Sequence, residues 1–186
     1  SADAVEIQAF PGHAGAIVGV AFNSASQPVS ASADKTIRTW NPANGQQVRA
    51  ITDPQPLSAM AMTRDFARVA VAGADKTVRV YQLNNGQKLC SLEGHATVAV
   101  SLAFSTDGTR VVSTTATDAT TWDATSGRLL EIVPIDGLAS AVFATDVNTL
   151  LTVTAQQVER RPLRFTQAMV GLTKPVTSLA VHPNGQ

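Results

Sequence analysis

The chain has 186 residues, 44% of them hydrophobic, and its 14 basic and 14 acidic residues cancel to a formal net charge of zero. That balance lacks the basic surplus of nucleic-acid-binding domains, so nucleic acid is not expected as a partner. No apolar run reaches the roughly 18 residues that span a bilayer, so no membrane partner is expected, and a single cysteine, Cys90, excludes an internal disulfide.

The elements follow one another in a fixed order. AVEIQAF at 4–10 precedes the first Gly-His pair and reads as the outer strand of an earlier unit. IVGVAF at 17–22 then alternates with period two, the pattern of a half-buried strand. LSAMAM at 57–62, AVSLAF at 99–104, LASAVF at 138–143 and VTSLAV at 176–181 repeat it. Each run leads through a turn to a second strand such as RVAVAG or RVVSTT. Next comes the phrase SADKTIRTW at 32–40, rewritten as GADKTVRVY at 73–81. Its Asp suits a tight turn, because a carboxylate there can accept from backbone amides two residues on. Asn44-Gly45, Asn85-Gly86 and Ser126-Gly127 follow, and Asn-Gly predicts two-residue hairpins with positive φ at both positions. Fourth strands QQVRAI, QKLCSL and RLLEIV close the units.

The period is 41 residues: Asp34 and Asp75, Arg38 and Arg79, and the rings Trp40, Tyr81 and Trp122 all keep it. Gly12-His13 returns as Gly94-His95 after two periods, and the skipped copy falls on Asp53-Pro54. Four antiparallel strands per unit, repeated at this spacing, predict an all-β propeller of four-stranded blades. The boundaries predicted are 1–11 for the earlier unit's outer strand, then repeats at 12–52, 53–93, 94–134 and 135–172, with a fifth beginning at 173–186. This makes about four complete blades and two partial ones. The expectation is a fragment of a longer propeller, or a half-ring that self-association or further blades complete.

Gly12-His13 leading to Trp40-Asn41, and Gly94-His95 leading to Trp122-Asp123, resemble the WD-repeat family. The resemblance implies that a blade is tied by a hydrogen-bonded set of His, Ser or Thr, Asp and Trp. In repeat one this means His13, either Ser30 or Ser32, Asp34 and Trp40, with Asp75, His95 and Trp122 as partial copies. Asp118 stands four residues before Trp122, where repeats one and two have six, so the third turn is altered. A nucleophilic triad uses the same residue types, but catalysis needs its set once, whereas these positions recur with the structural period. No His, Cys or carboxylate cluster has zinc-like spacing; no metal, cofactor or catalytic residue is predicted. Cys90 sits in an apolar strand and reads as a buried, inert thiol.

The family resemblance also implies a binding face built from inter-blade loops, which here includes Gln55, Thr97, Asp136 and Lys174. Arg160, Arg161 and Arg164 form a basic stretch that either faces solvent or meets an acidic peptide. The function expected is a noncatalytic scaffold that binds a protein or peptide; the alternative is a regulatory or positioning segment of a larger enzyme.

Overall fold

The computed structural model describes residues 9–164. They form an all-β arc of antiparallel sheets, each a meander in sequence order. The first blade contains β1 (Ile17–Phe22), β2 (Pro28–Ser32), β3 (Thr36–Trp40) and β4 (Gln47–Thr52). The second contains β5 (Leu57–Met62), β6 (Arg68–Gly73), β7 (Val78–Gln82) and β8 (Lys88–Leu92). In the third are β9 (Ser101–Phe104), β10 (Arg110–Thr114), β11 (Asp118–Asp123) and β12 (Leu129–Pro134). The fourth shows β13 (Leu138–Phe143), β14 (Thr149–Thr154) and β15 (Val158–Pro162). Any fourth strand of that blade, the start of a fifth repeat and Lys174 lie outside the described residues. So do residues 1–8 of the expected outer strand, while Ala9 and Phe10 carry no strand.

The alternating strands bury one face against the next blade, so the core lies between blades rather than within one. Val29, Ala31 and Ile37 of the first blade meet Val69, Val71 and Tyr81 of the second. Val78, Val80 and Leu92 meet Leu102, Val111 and Trp122. Val112 and Ala119 meet Ala141, Phe143 and Leu150. Leu163, 41 residues after Trp122, is not the ring's counterpart: Leu150 pairs with Arg161 as Val111 pairs with Trp122, and the Leu163 amide donates to the Asn148 carbonyl as those of Leu83 and Ala124 donate to Ala67 and Thr109. The first strands β1, β5, β9 and β13 stand side by side in that order. Two cross-blade hydrogen bonds join them, Ser58 Oγ to the Ala99 carbonyl at 2.8 Å and Ser101 Oγ to Ser140 Oγ at 3.2 Å.

The Asn-Gly hairpins differ from expectation. Only the glycines take positive φ, at 68° for Gly45, 75° for Gly86 and 76° for Gly127. The loops are longer than two residues, closed by Asn41 N–H to the Gln46 carbonyl and by Gly45 N–H to the Asn41 carbonyl. In the first and third blades the side chain that follows the ring supports the wider loop. Asn41 Oδ1 accepts from Ala43 N at 2.9 Å, and Asp123 Oδ1 accepts from the amides of Thr125 and Ser126. These bonds stabilise a wider turn.

Candidate functional site: three clasps and a cleft

In the first blade, Trp40 Nε1 donates to Ser30 Oγ at 2.8 Å, Ser30 pairs with His13 Nε2 at 2.7 Å, and His13 Nδ1 donates to Asp34 Oδ2 at 2.8 Å. One assignment satisfies the whole chain of bonds: Ser30 donates to Nε2, and the proton sits on Nδ1. Ser30 is the hydroxyl of the set. Ser32 Oγ accepts instead from the Asp34 amide at 3.1 Å. Burial alone would raise the Asp34 carboxyl. Hydrogen bonds from Thr36 and His13, and from the amides of Ala14 and Thr36, outweigh it and hold the group well below the usual carboxylate range. The order Ser, His, Asp matches a nucleophile, a base and an orienting acid. Ser30, however, is only 5% exposed and accepts an indole N–H, so the arrangement ties β2 and β3 to the preceding loop.

The second blade reaches the same end with other residues. Asp53, at the position of the Gly in the skipped Gly-His pair, accepts from Tyr81 Oη at 2.8 Å and from Arg79 Nη1 at 3.3 Å. Arg79 also pairs with Asp75 through Nη2. The guanidinium therefore joins two carboxylates that the first blade does not bring together. Burial opposes the charge on Arg79, but Asp75 and Asp53 outweigh it and raise its pKa. Burial and the bond to Asp53 push the Tyr81 phenol upward. Space here is tight: a Cβ at Gly73 would lie 2.6 Å from both Arg79 Nη1 and Asp75 Oδ1, so a larger residue there would displace the ends of these side chains.

The third clasp is shorter. Trp122 Nε1 donates to Ser113 Oγ at 2.7 Å, and Ser113 pairs with His95 Nε2 at 2.8 Å. Asp118 instead accepts from the hydroxyls of Thr115, Thr117 and Thr120 within its own hairpin. Without a carboxylate bonded to His95, burial dominates and lowers its pKa, with Asp118 opposing at longer range. The sign for stability follows from the lowered folded-state value. The unfolded chain binds the proton more readily, so stability is complete above the ordinary value of 6.5 and falls as pH drops through it. His95→Gln is accordingly expected to lose less stability than the parent between pH 7.5 and pH 5.5. Denaturant titrations at the two pH values check this, and equal losses would contradict it.

Thr97 and Asp136 are exposed in the inter-blade loops and Gln55 is half-buried, its backbone N–H donating to Asp53 Oδ1 at 2.9 Å. The three arginines do not act as one patch. Arg160 pairs with Asp146 at 3.1 Å and Arg161 pairs with Glu159, and as neighbours in β15 they point to opposite faces. Arg164 is exposed, and its backbone amide donates to Glu131 Oε2 at 2.7 Å. Cys90 is half-buried, its thiol pushed up by burial and donating to the Ala124 carbonyl at 3.4 Å. Among the described residues, no group of three His, Cys, Asp or Glu could hold a metal ion.

A cleft of about 400 Å³, unanticipated by the repeat pattern, lies between the first two blades. It opens at the end that carries the β1–β2 and β3–β4 turns, opposite the inter-blade loops. Its walls include Gln27, Val48, Arg49, Asp65 and Phe66. The traceable signal was the recurring first residue of each second strand, occupied by Gln27 before β2 but by Arg68 and Arg110 in β6 and β10.

Comparison with known proteins agrees with this geometry. A family model described as "WD domain, G-beta repeat" matches residues 4–41 and 86–123, which hold the two His-Ser-Trp clasps. A serine-threonine kinase receptor-associated protein of Dictyostelium discoideum is 28% identical over 156 residues, 82% of this chain and 53% of its own length. The chain thus spans about half the length of that curated relative. The crystal structure of the computationally designed Ika4 protein superposes with a TM-score of 0.70 at 30% identity, covering 87% of this chain and 99% of the designed one. With blades, clasps and comparisons in agreement, the described residues form part of a propeller of the WD-repeat type, with repeats of that family at the two matched segments.

Proposed function

We propose that the chain is a noncatalytic protein-interaction scaffold. The observation that carries this reading is that each polar constellation recurs with the structural period and is consumed inside its own blade. Trp40, Ser30, His13 and Asp34 bond one another, as do Tyr81, Asp53, Arg79 and Asp75. Such sets fix the blades and leave the loops to make contacts. The curated relative is named for association with a receptor, and association is the mode proposed here. The test is a photo-crosslinking amino acid placed at Thr97 and, separately, at Asp136 in the full-length protein in its own cells. A discrete crosslinked protein from either position is expected. No crosslink at both, with the strand signal of the purified protein intact by circular dichroism, overturns the reading.

A further inference from the structure

The two junctions after the second and third blades are stapled at one corner by an arginine. Arg68 Nη2 donates to the Gly108 carbonyl at 2.7 Å. Arg110 Nη1 donates to the Val147 carbonyl at 2.6 Å and to Asn148 Oδ1 at 2.9 Å. The corresponding residue at the first junction is Gln27, whose amide oxygen turns back to accept from Asn23 Nδ2 at 2.9 Å. Among the described residues no hydrogen bond from its side chain crosses the junction, and the cleft of about 400 Å³ lies there.

The opposite wall contains a second departure. The β5–β6 and β9–β10 turns have the same hydrogen bonds: Phe66 N–H to Thr63 and Gly108 N–H to Ser105, each closed by a hydroxyl-to-Asp bond. At the corner residue the backbone is left-handed in both, with φ of 70° at Gly108 and 58° at Phe66. Glycine adopts this conformation without a steric penalty, and a bulky aromatic does not. The ring is nevertheless 41% exposed, and Val48 of β4, which lines the cleft from the first blade, is 54% exposed. Arg49, exposed on the first-blade wall that β4 supplies, has no ion-pair partner among the described residues. Asp65, the other charge in the cleft, is occupied by Thr63 Oγ1 and the Ala67 amide, which keep its carboxyl below the usual range.

We propose that this cleft, opened by Gln27 in place of a stapling arginine, binds an extended peptide segment of a partner protein. The segment lays an apolar side chain on Phe66 and Val48 and places a carboxylate on Arg49. Exposed aromatic and arginine side chains are the types that dominate interface energy, and the unpaired cation selects an acidic segment. The proposal rests on the scaffold reading but concerns the end of the blades away from Thr97 and Asp136.

The test selects a phage-displayed library of random 12-residue peptides on the immobilised protein and measures the enriched peptides, as synthetic material, against three variants. Phe66→Gly copies the Gly108 corner, Gln27→Arg rebuilds the staple, and Arg49→Glu reverses the charge. Enriched peptides are expected to combine a carboxylate with an apolar residue. Phe66→Gly and Gln27→Arg should each weaken binding about tenfold or more while leaving the melting temperature unchanged or higher. Arg49→Glu should weaken it similarly, with an unchanged melting temperature. Peptides that bind all three variants as well as the parent overturn the cleft assignment and leave the scaffold reading standing. So does a lower melting temperature for Phe66→Gly, which would make the ring a packing residue. A library that enriches nothing also overturns the cleft, whereas the crosslinking experiment bears on the scaffold reading alone.

Discussion

Replacing Arg79 by methionine is expected to destabilise the protein by about 3–5 kcal/mol, because it leaves a buried carboxylate without its cation. The Asp53 side chain is 0% exposed, and the Arg79 side chain is 9% exposed. Asp53 would keep Tyr81 Oη and the Gln55 amide, two neutral donors that cannot offset a full charge removed from water. Asp75 contributes less to the loss, since its side chain is 31% exposed and can turn to solvent. A double variant therefore discriminates the mechanism. Asp53→Asn with Arg79→Met removes both charges and should recover much of the loss, whereas simple loss of arginine packing would leave the double variant as unstable as the single one. Urea titrations of parent, singles and double close the cycle.

The structure also shows where periodic reading of the chain succeeds and where it misleads. Ring spacing of 41 residues locates the blades because each ring sits at the same place in the third strand. That constancy hides two opposite shifts. β1–β2 pairs Phe22 with Pro28, five residues between them, while β9–β10 pairs Phe104 with Val111, with six between. β2–β3 pairs Ala31 with Ile37, again five between, while β10–β11 pairs Thr114 with Ala119, with four. One turn gains a residue and the next loses one, so Trp122 keeps step while Asp118 is left in its own hairpin. The altered spacing of Asp118 is visible in the sequence, but its physical result requires the register.

Arg79 illustrates a different limit. It is legible as part of a repeated phrase, but the 41-residue period puts Asp53 at the Gly of the skipped Gly-His pair, and the pairing of the two spans 26 residues and two elements. The first blade gives no precedent for it, because Arg38 bonds Thr36 and Asp34 and has no carboxylate at position 12. The stapling arginines are harder still to recognise. Arg68 meets Gly108 across a blade junction, a contact that a reading within one repeat cannot contain. The cleft at Gln27 is therefore legible only once neighbouring repeats have been stacked.

Trp122→Ala should be the more damaging of the two tryptophan replacements, at about 3–5 kcal/mol for a large ring removed from a packed core. Trp122 is 1% exposed and belongs to the cluster that joins the second and third blades. Its neighbours are fixed by sheets on both sides and cannot collapse into the space. Trp40 is as buried, at 2%, but its cover is a ring of single side chains: Phe10 at 6.1 Å, His13 at 5.7 Å and Arg38 at 5.9 Å. These can close over a missing indole at smaller cost. The consequence for cooperativity differs as well. Repeat architectures hold together through nearest-neighbour interfaces, so a cavity between the second and third blades weakens the only direct coupling between the two halves of the described arc. Trp122→Ala is thus expected to broaden the urea transition and lower its slope, while Trp40→Ala shifts the midpoint with the slope retained. Equal slopes and equal losses for the two variants would mean that stability is set within each blade, and that the inter-blade clusters do not carry the cooperativity assigned to them.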